Sequence, residues 1–152
     1  MNDIKAIIFD YGRTLHDSDN GEFFVGALKV CESLSKKYKL AIVSITRPQT
    51  MDERWGQIRN SGLEKLFAYI ELIPEAEKKD EAFERAVKKL GVAYPEIAIV
   101  DDRTVRGIRW GNKHGCTTIW LRRGKFANEL PNQQTGEPTW TISDLRELKN
   151  IL

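Results

Sequence analysis

Apolar, β-branched runs alternate along the chain with segments whose apolar residues recur every three or four positions. Residues 4–9 predict a first strand, a near-continuous apolar run suited to burial on both faces. Phe24, Ala27, Leu28, Cys31 and Leu34 recur at helical spacing and predict an amphipathic helix. Residues 40–43 predict a second strand. Pro48 suits the first turn of a second helix running to about residue 60, with Gly62 as its stop. Residues 68–72 predict a third strand. The strongest helix spans residues 79–90, where Ala82, Phe83, Ala86, Val87 and Leu90 share one face. Its outer face carries Glu81/Arg85 and Glu84/Lys88 at i,i+4, and Gly91 ends it. A fourth strand over 97–100 runs into Asp101-Asp102. A short helix over 105–113, a fifth strand over 117–121 and a last helix capped by Ser143 complete the pattern.

Strands separated by helices imply βαβ units. The expected fold is α/β: a Rossmann-like, doubly wound, mainly parallel sheet covered on both faces. Residues 122–138 are the one long irregular stretch, read as a surface loop packed by Phe126 and Leu130. Trp55, Trp110, Trp120 and Trp140 are expected in the core, and His16 and His114 in structural or exposed positions.

The 152 residues suit a single domain. Basic and acidic residues nearly cancel, 24 against 22, which gives no electrostatic case for nucleic acid or an anionic membrane as partner. Two cysteines exclude a disulfide framework or a zinc cluster, and Cys31 reads as a buried thiol. No apolar run is long enough to span a bilayer, and the first residues lack the order of a signal peptide, so a cytoplasmic protein is expected.

Four chemical features fall at strand ends or helix starts. Asp10 ends the first strand, Ser44 the second, and Asp101-Asp102 the fourth, while Lys78-Lys79 opens the strong helix. In a parallel sheet all strand C-termini share one edge, so these groups can converge. A carboxylate nucleophile, a hydroxyl, an ammonium and an acidic pair suit phosphoryl transfer. Paired carboxylates suit Mg²⁺, which offsets the repulsion between an anionic nucleophile and an anionic phosphate. The hydroxyl and the ammonium suit the remaining phosphate oxygens.

These motifs resemble those of the haloacid dehalogenase superfamily, most of whose members are Mg²⁺-dependent phosphatases. Phe9-Asp10-Tyr11-Gly12-Arg13-Thr14-Leu15 is similar to the first motif, D-x-D-x-T. Val43-Ser44-Ile45-Thr46 is similar to the second, a strand ending in Ser or Thr. Lys79, four residues before Phe83, matches the third best, with Lys78 as the alternative. Ile99-Val100-Asp101-Asp102-Arg103 resembles the fourth, and Ile108-Arg109-Trp110-Gly111-Asn112 with Gly115-Cys116-Thr117-Thr118 continues in the same manner. The resemblance implies Asp10 as the nucleophile of an aspartyl-phosphate intermediate. It also implies Mg²⁺ held by Asp10, the Gly12 carbonyl and Asp102, with Asp101 as the other candidate. Ser44 and Lys79 would bind the phosphoryl group, with Arg13 adding charge beside it.

Two departures stand out. Position 12, where the family usually carries its acid/base Asp, is Gly12. The further acid expected four or five residues after Asp102 is replaced by Arg106 and Gly107, which implies a weakened metal site. A catalytically weakened relative that binds a phosphorylated ligand or protein is the alternative to an active phosphatase. Positions 10, 44 and 79 leave room for local helices and a flap over 16–24 but no cap domain. Capless members act on bulky phosphates, small or macromolecular, or close the site by forming homo-oligomers.

Overall fold

A computed structural model describes residues 3–152. Six parallel strands form one sheet in the order β5-β4-β1-β6-β7-β8. They are β1 (Ala6–Phe9), β4 (Lys39–Ile45), β5 (Tyr69–Ile73), β6 (Ile97–Asp101), β7 (Thr117–Leu121) and β8 (Trp140–Ile142). The chain order reverses beside β1, which has β4 on one side and β6 on the other. That switch point is where an open α/β sheet leaves a crevice at its strand C-termini.

Both faces are buried, and β1 and β4 divide their side chains between them by the period of two. Ile7, Phe9, Leu40 and Ile42 pack under α1 (Ala27–Ser35), α2 (Met51–Asn60) and α5 (Leu148–Ile151). Ala6, Ile8, Ala41 and Val43 pack under α3 (Lys79–Leu90) and α4 (Arg109–His114). The α3 stripe Ala82, Phe83, Ala86 and Leu90 is buried there, and Phe83 stacks on Trp110 at 4.7 Å. A separate two-stranded hairpin, β2 (His16–Asp17) with β3 (Glu22–Phe23), forms the predicted flap.

Several boundaries differ from the sequence pattern. The first helix starts at Ala27, because Gly26 takes a left-handed conformation (φ 81°) and Phe24 is held before it by its N–H bond to the Leu15 carbonyl. The single helix expected over 105–113 is a π-helical turn over Thr104–Ile108 followed by α4. The cap of the last helical segment is Asp144 rather than Ser143. The Asp144 carboxylate accepts from the Arg146 N–H at 2.8 Å, while Ser143 donates its own N–H to Glu147. The edge strand β8 carries no prediction, since three residues give too short a period to detect. Residues 122–138 also differ: Leu130 is 58% exposed, whereas Phe126 lines the cleft. Asn112 pins this stretch by donating to the carbonyls of Thr135 and Glu137. Trp140, expected in the core, is 46% exposed on β8. Among the described residues, no helix is long and apolar enough to cross a membrane.

Candidate functional site

Parallel pairing of β1, β4 and β6 sets Asp10, Ser44 and Asp101-Asp102 side by side. Phe9 registers with Ile42 on one side and Val100 on the other, so the next residues emerge together at the sheet edge. A cleft of about 340 Å³ opens there, lined among others by Asp10, Gly12, Ser44, Arg54 and Asp102.

Its floor is a cluster of charge. Asp10, Asp101 and Asp102 each offer a carboxylate oxygen, and the three oxygens lie within 4.8 Å of one another. Lys79 reaches them from the first turn of α3, with Nζ 3.2 Å from Asp10 Oδ1 and 3.4 Å from Asp101 Oδ2. Burial works against the Lys79 ammonium, but Asp10 and Asp101 outweigh it and hold the group above its ordinary range. Lys78, the sequence alternative, is exposed and stays outside. A one-residue shift along the helix start turns the side chain by about 100°, which separates the buried from the solvated lysine.

The two adjacent acids differ. Asp101 is held by the protein: it accepts from the N–H groups of Arg103 (3.0 Å) and Gly107 (2.9 Å) as well as from Lys79. Asp102 faces the cleft. Its Oδ1 accepts from the Thr14 hydroxyl at 3.3 Å, and its Oδ2 is buried with no hydrogen-bond partner. Burial first, then repulsion from Asp101 and Asp10, pushes the Asp102 carboxyl up to about 9 in the protein alone. Thr14 also stands 3.4 Å from Asp10 Oδ2, so one hydroxyl bridges the first and fourth motifs.

Position 107 must be glycine. A Cβ there would come within 2.8 Å of the Asp101 Cβ, and the N–H that binds Asp101 depends on that close approach. Positions 106 and 107 thus add no carboxylate, and the third acid of the cluster is Asp101, from the end of the strand itself. The set of oxygens suits a hard divalent cation: three carboxylates around one ammonium, with one orphaned buried oxygen.

Around Asp10, the Tyr11 N–H donates to Ser44 Oγ at 3.4 Å, placing the buried Ser44 hydroxyl at the cleft. Arg13 adopts φ 62°, unusual for a side-chain-bearing residue, and its guanidinium is paired with Asp19 of the flap at 2.9 Å. It lines the cleft but is committed to an ion pair. His16 is buried against Tyr11, the rings stacked at 5.5 Å, and burial lowers its pKa.

The feature missed in the sequence is Arg54. It projects from α2 so that a Cβ on Gly12 would lie 3.0 Å from its Nη2. Its Nη1 donates to the Ile45 carbonyl (3.1 Å) and to Thr46 Oγ1 (2.8 Å), and its guanidinium lies 5.0 Å from the Tyr11 ring centre. Arg54 falls on the inward stripe of Met51, Trp55 and Ile58, and a charged residue on such a stripe was the available signal. Burial depresses its pKa, while Asp10 opposes that shift.

The chain matches the haloacid dehalogenase-like hydrolase family over residues 1–121. It is 29% identical over 103 residues to the glyceraldehyde 3-phosphate phosphatase of Methanopyrus kandleri, covering 66% of this chain and 44% of that protein. It is 28% identical over 131 residues to the enzyme of the same name from Pyrococcus furiosus, covering 84% of this chain and 53% of that protein. The chain thus spans about half the length of the curated relatives it matches. Among solved structures, L-2-haloacid dehalogenase from Xanthobacter autotrophicus superposes with a TM-score of 0.76 at 13% identity, covering 97% of this chain and 98% of that one. YfnB from Bacillus subtilis, solved bound to magnesium, superposes with a TM-score of 0.69 at 23% identity, covering 88% of this chain and 58% of that one. With the family match over most of its length and its acids gathered at the switch point of a parallel sheet, this chain belongs to the haloacid dehalogenase-like hydrolases.

Proposed function

We propose that this protein is a phosphomonoester hydrolase that works through an aspartyl-phosphate at Asp10. The observation that carries the reading is the three-carboxylate floor held by one buried lysine, with a buried Asp102 oxygen left unpartnered beneath the cleft. The names of the curated relatives support a phosphorylated small molecule as substrate.

Asp10, Asp102 and the Gly12 carbonyl would hold Mg²⁺, with Asp101 supporting them. When bound, the ion supplies charge neutralisation between the attacking carboxylate and the phosphate. The remaining steps belong to the chain. Ser44 and Lys79 hold the non-bridging phosphate oxygens and orient phosphorus toward an Asp10 oxygen. The Asp10 oxygen forms a bond to phosphorus as the ester P–O bond breaks, and the departing alkoxide takes a proton from solvent. Water then cleaves the aspartyl-phosphate, releasing inorganic phosphate and regenerating Asp10.

Gly12 supports a second reading, a binder with slow turnover. The missing general acid is worth about 10²–10⁴ in rate, and esters with poor leaving groups would lose most. Phosphate release from a panel of phosphorylated metabolites, with Mg²⁺ or EDTA, separates the two. The hydrolase reading expects Mg²⁺-dependent release that Asp10→Asn lowers on the order of 10⁴-fold or more. Release that survives Asp10→Asn undiminished would sink it.

A further inference from the structure

The wall of the cleft is as unbalanced as its floor, but with the opposite sign. Five arginines line it against one carboxylate above the floor, that of Glu53, and two of the five are matched in ion pairs: Arg13 by Asp19 and Arg103 by Glu129. Among the described residues, Arg47, Arg54 and Arg106 have no carboxylate within 4.0 Å. Arg54 is the most telling of these. It is partly buried, bonded only to neutral acceptors, and set against Gly12 in space that an acidic side chain there would enter. Asp10 and Glu53 act on it only at longer range, and a partly buried guanidinium with no carboxylate in direct contact keeps donors to offer an anion that enters the cleft. Arg47 stands near enough for its charge to lower the Arg54 pKa, so two like charges share the β4–α2 side of the cleft. The phosphoryl group does not need them, since Ser44 and Lys79 already attend it.

We infer that the substrate carries a second anionic group, a carboxylate or a second phosphate, bound by Arg54 and Arg47 while the phosphoryl group sits at Asp10. This assignment rests on the hydrolase reading above. Gly12 gains a purpose by it: the absent carboxylate is what leaves the Arg54 guanidinium free for the substrate. Arg54 bonds the tail of the substrate and fixes its direction. Arg47, at the exposed mouth, contributes the outer contact.

Three probes with the same carbon chain test it: 3-hydroxypropyl phosphate, 3-(phosphonooxy)propanoate and propane-1,3-diyl bisphosphate. One charge-assisted, two-point contact predicts kcat/KM at least about 10-fold higher for one or both anionic-tail probes than for the neutral-tail one, beyond the twofold from the two ends of the bisphosphate. Whichever probe gains more identifies the tail. Arg54→Gln and Arg47→Gln should each shrink the ratio, and the double variant should bring it within about twofold of unity. Equal kcat/KM for all three probes in the wild type overturns the proposal, as does a preference that persists in the double variant. Arg47 is exposed, so its variant folds even if Arg54→Gln does not, and Arg54→Lys keeps the charge while losing the fork. A calorimetric arm separates this from failure of the hydrolase reading. Asp10→Asn protein should bind the anionic-tail probe that gains more, or either one if none is hydrolysed, at least about tenfold more tightly than 3-hydroxypropyl phosphate, and lose that margin with Arg47→Gln and Arg54→Gln added. If no probe is hydrolysed but the margin appears, only the turnover claim falls. If the margin is absent, the second subsite falls.

Discussion

The floor and the wall of the cleft handle charge in opposite ways. On the floor, three carboxylates meet one ammonium, and nearly every oxygen is held: Asp101 by two backbone N–H groups and Lys79, Asp10 by Lys79, and Asp102 Oδ1 by Thr14. One oxygen, Asp102 Oδ2, is left over. On the wall, among the described residues, Arg47 and Arg54 at the β4–α2 corner have no carboxylate within 4.0 Å, and Asp10 and Glu53 act on Arg54 only at longer range. An excess of negative charge at the bottom calls for a cation, and an excess of positive charge at the side calls for an anion. A metal-bound phosphoryl group with an anionic tail answers both. The same cleft therefore combines a tightly held acidic floor with a less fully paired basic wall.

The largest effect is expected from breaking the floor. Lys79→Met removes the one buried cation and leaves three carboxylates facing each other. We expect a loss of about 3–5 kcal/mol in unfolding free energy by urea denaturation, together with loss of phosphate release. Arg47→Met, on the wall, should change unfolding by no more than about 0.5 kcal/mol, since it touches no carboxylate. Comparable losses at the two positions would erase the distinction between floor and wall.

Next comes the backbone that holds Asp101. Gly107→Ala should cost about 1–3 kcal/mol, because its Cβ meets Asp101 at 2.8 Å. Thermal unfolding checks it, and an unchanged Tm would mean that the Asp101 loop yields easily.

Asp102 gives a pH signature. Its carboxyl is pushed from an ordinary 3.8 up to about 9, so the folded protein holds the proton more tightly than the unfolded chain. The folded state then loses stability as pH rises through that window, from about 4 toward 9, when no divalent cation is present. Asp102→Asn does not titrate, so in EDTA it should be the more stable protein at pH 8, with little difference near pH 4. Mg²⁺ should raise the wild-type Tm at pH 8, and a concentration 100 times Kd stabilises by about 2.7 kcal/mol. The variant should show much less of this shift. Equal Mg²⁺ shifts in the two proteins would place the cation away from Asp102.

The smallest and most discriminating effect concerns Gly12. Its φ is not left-handed, so an Asp there is backbone-compatible, but its Cβ would meet Arg54 Nη2 at 3.0 Å. Arg54 would pair with the new carboxylate and keep it ionised, which spoils it as a general acid. Gly12→Asp alone should therefore change turnover little. With Arg54→Gln added, turnover of an alkyl phosphate should rise more than that of an aryl phosphate, because the poorer leaving group needs the proton. Equal gains on both esters would argue against position 12 as the acid/base site.

Much of this was legible before folding was considered. The alternation of apolar strands with amphipathic helices produced five of the six sheet strands and the strong helix α3 nearly to the residue. Position in the parallel sheet made Asp10, Ser44 and Asp101-Asp102 candidates for one edge. The losses have identifiable causes. The strand β8 is too short for periodicity, and its exposed Trp140 breaks the expectation that a tryptophan is core. Phe126 looked like loop packing because nothing local shows that Arg103 lies 3.8 Å from its ring centre at the cleft. Arg54 escaped because a charged residue in a short helix is ordinarily solvated; its place on the stripe of Met51, Trp55 and Ile58 was the one local hint, and the placement of α2 by the end of β4 brings it to the cleft.

By itself the sequence determined the parallel α/β plan, the order of the motifs and the absence of an acid at position 12, because these depend on local period and residue identity. The tertiary structure decided which of two adjacent lysines enters the site, since helix phase separates Lys79 from Lys78. It decided that Asp101 is tied down inside the acidic cluster, since Gly107 lets its backbone N–H come within 2.9 Å of the carboxylate. It also decided that the gap at Gly12 is occupied by the guanidinium of Arg54, a contact between residues 42 positions apart that no local rule encodes.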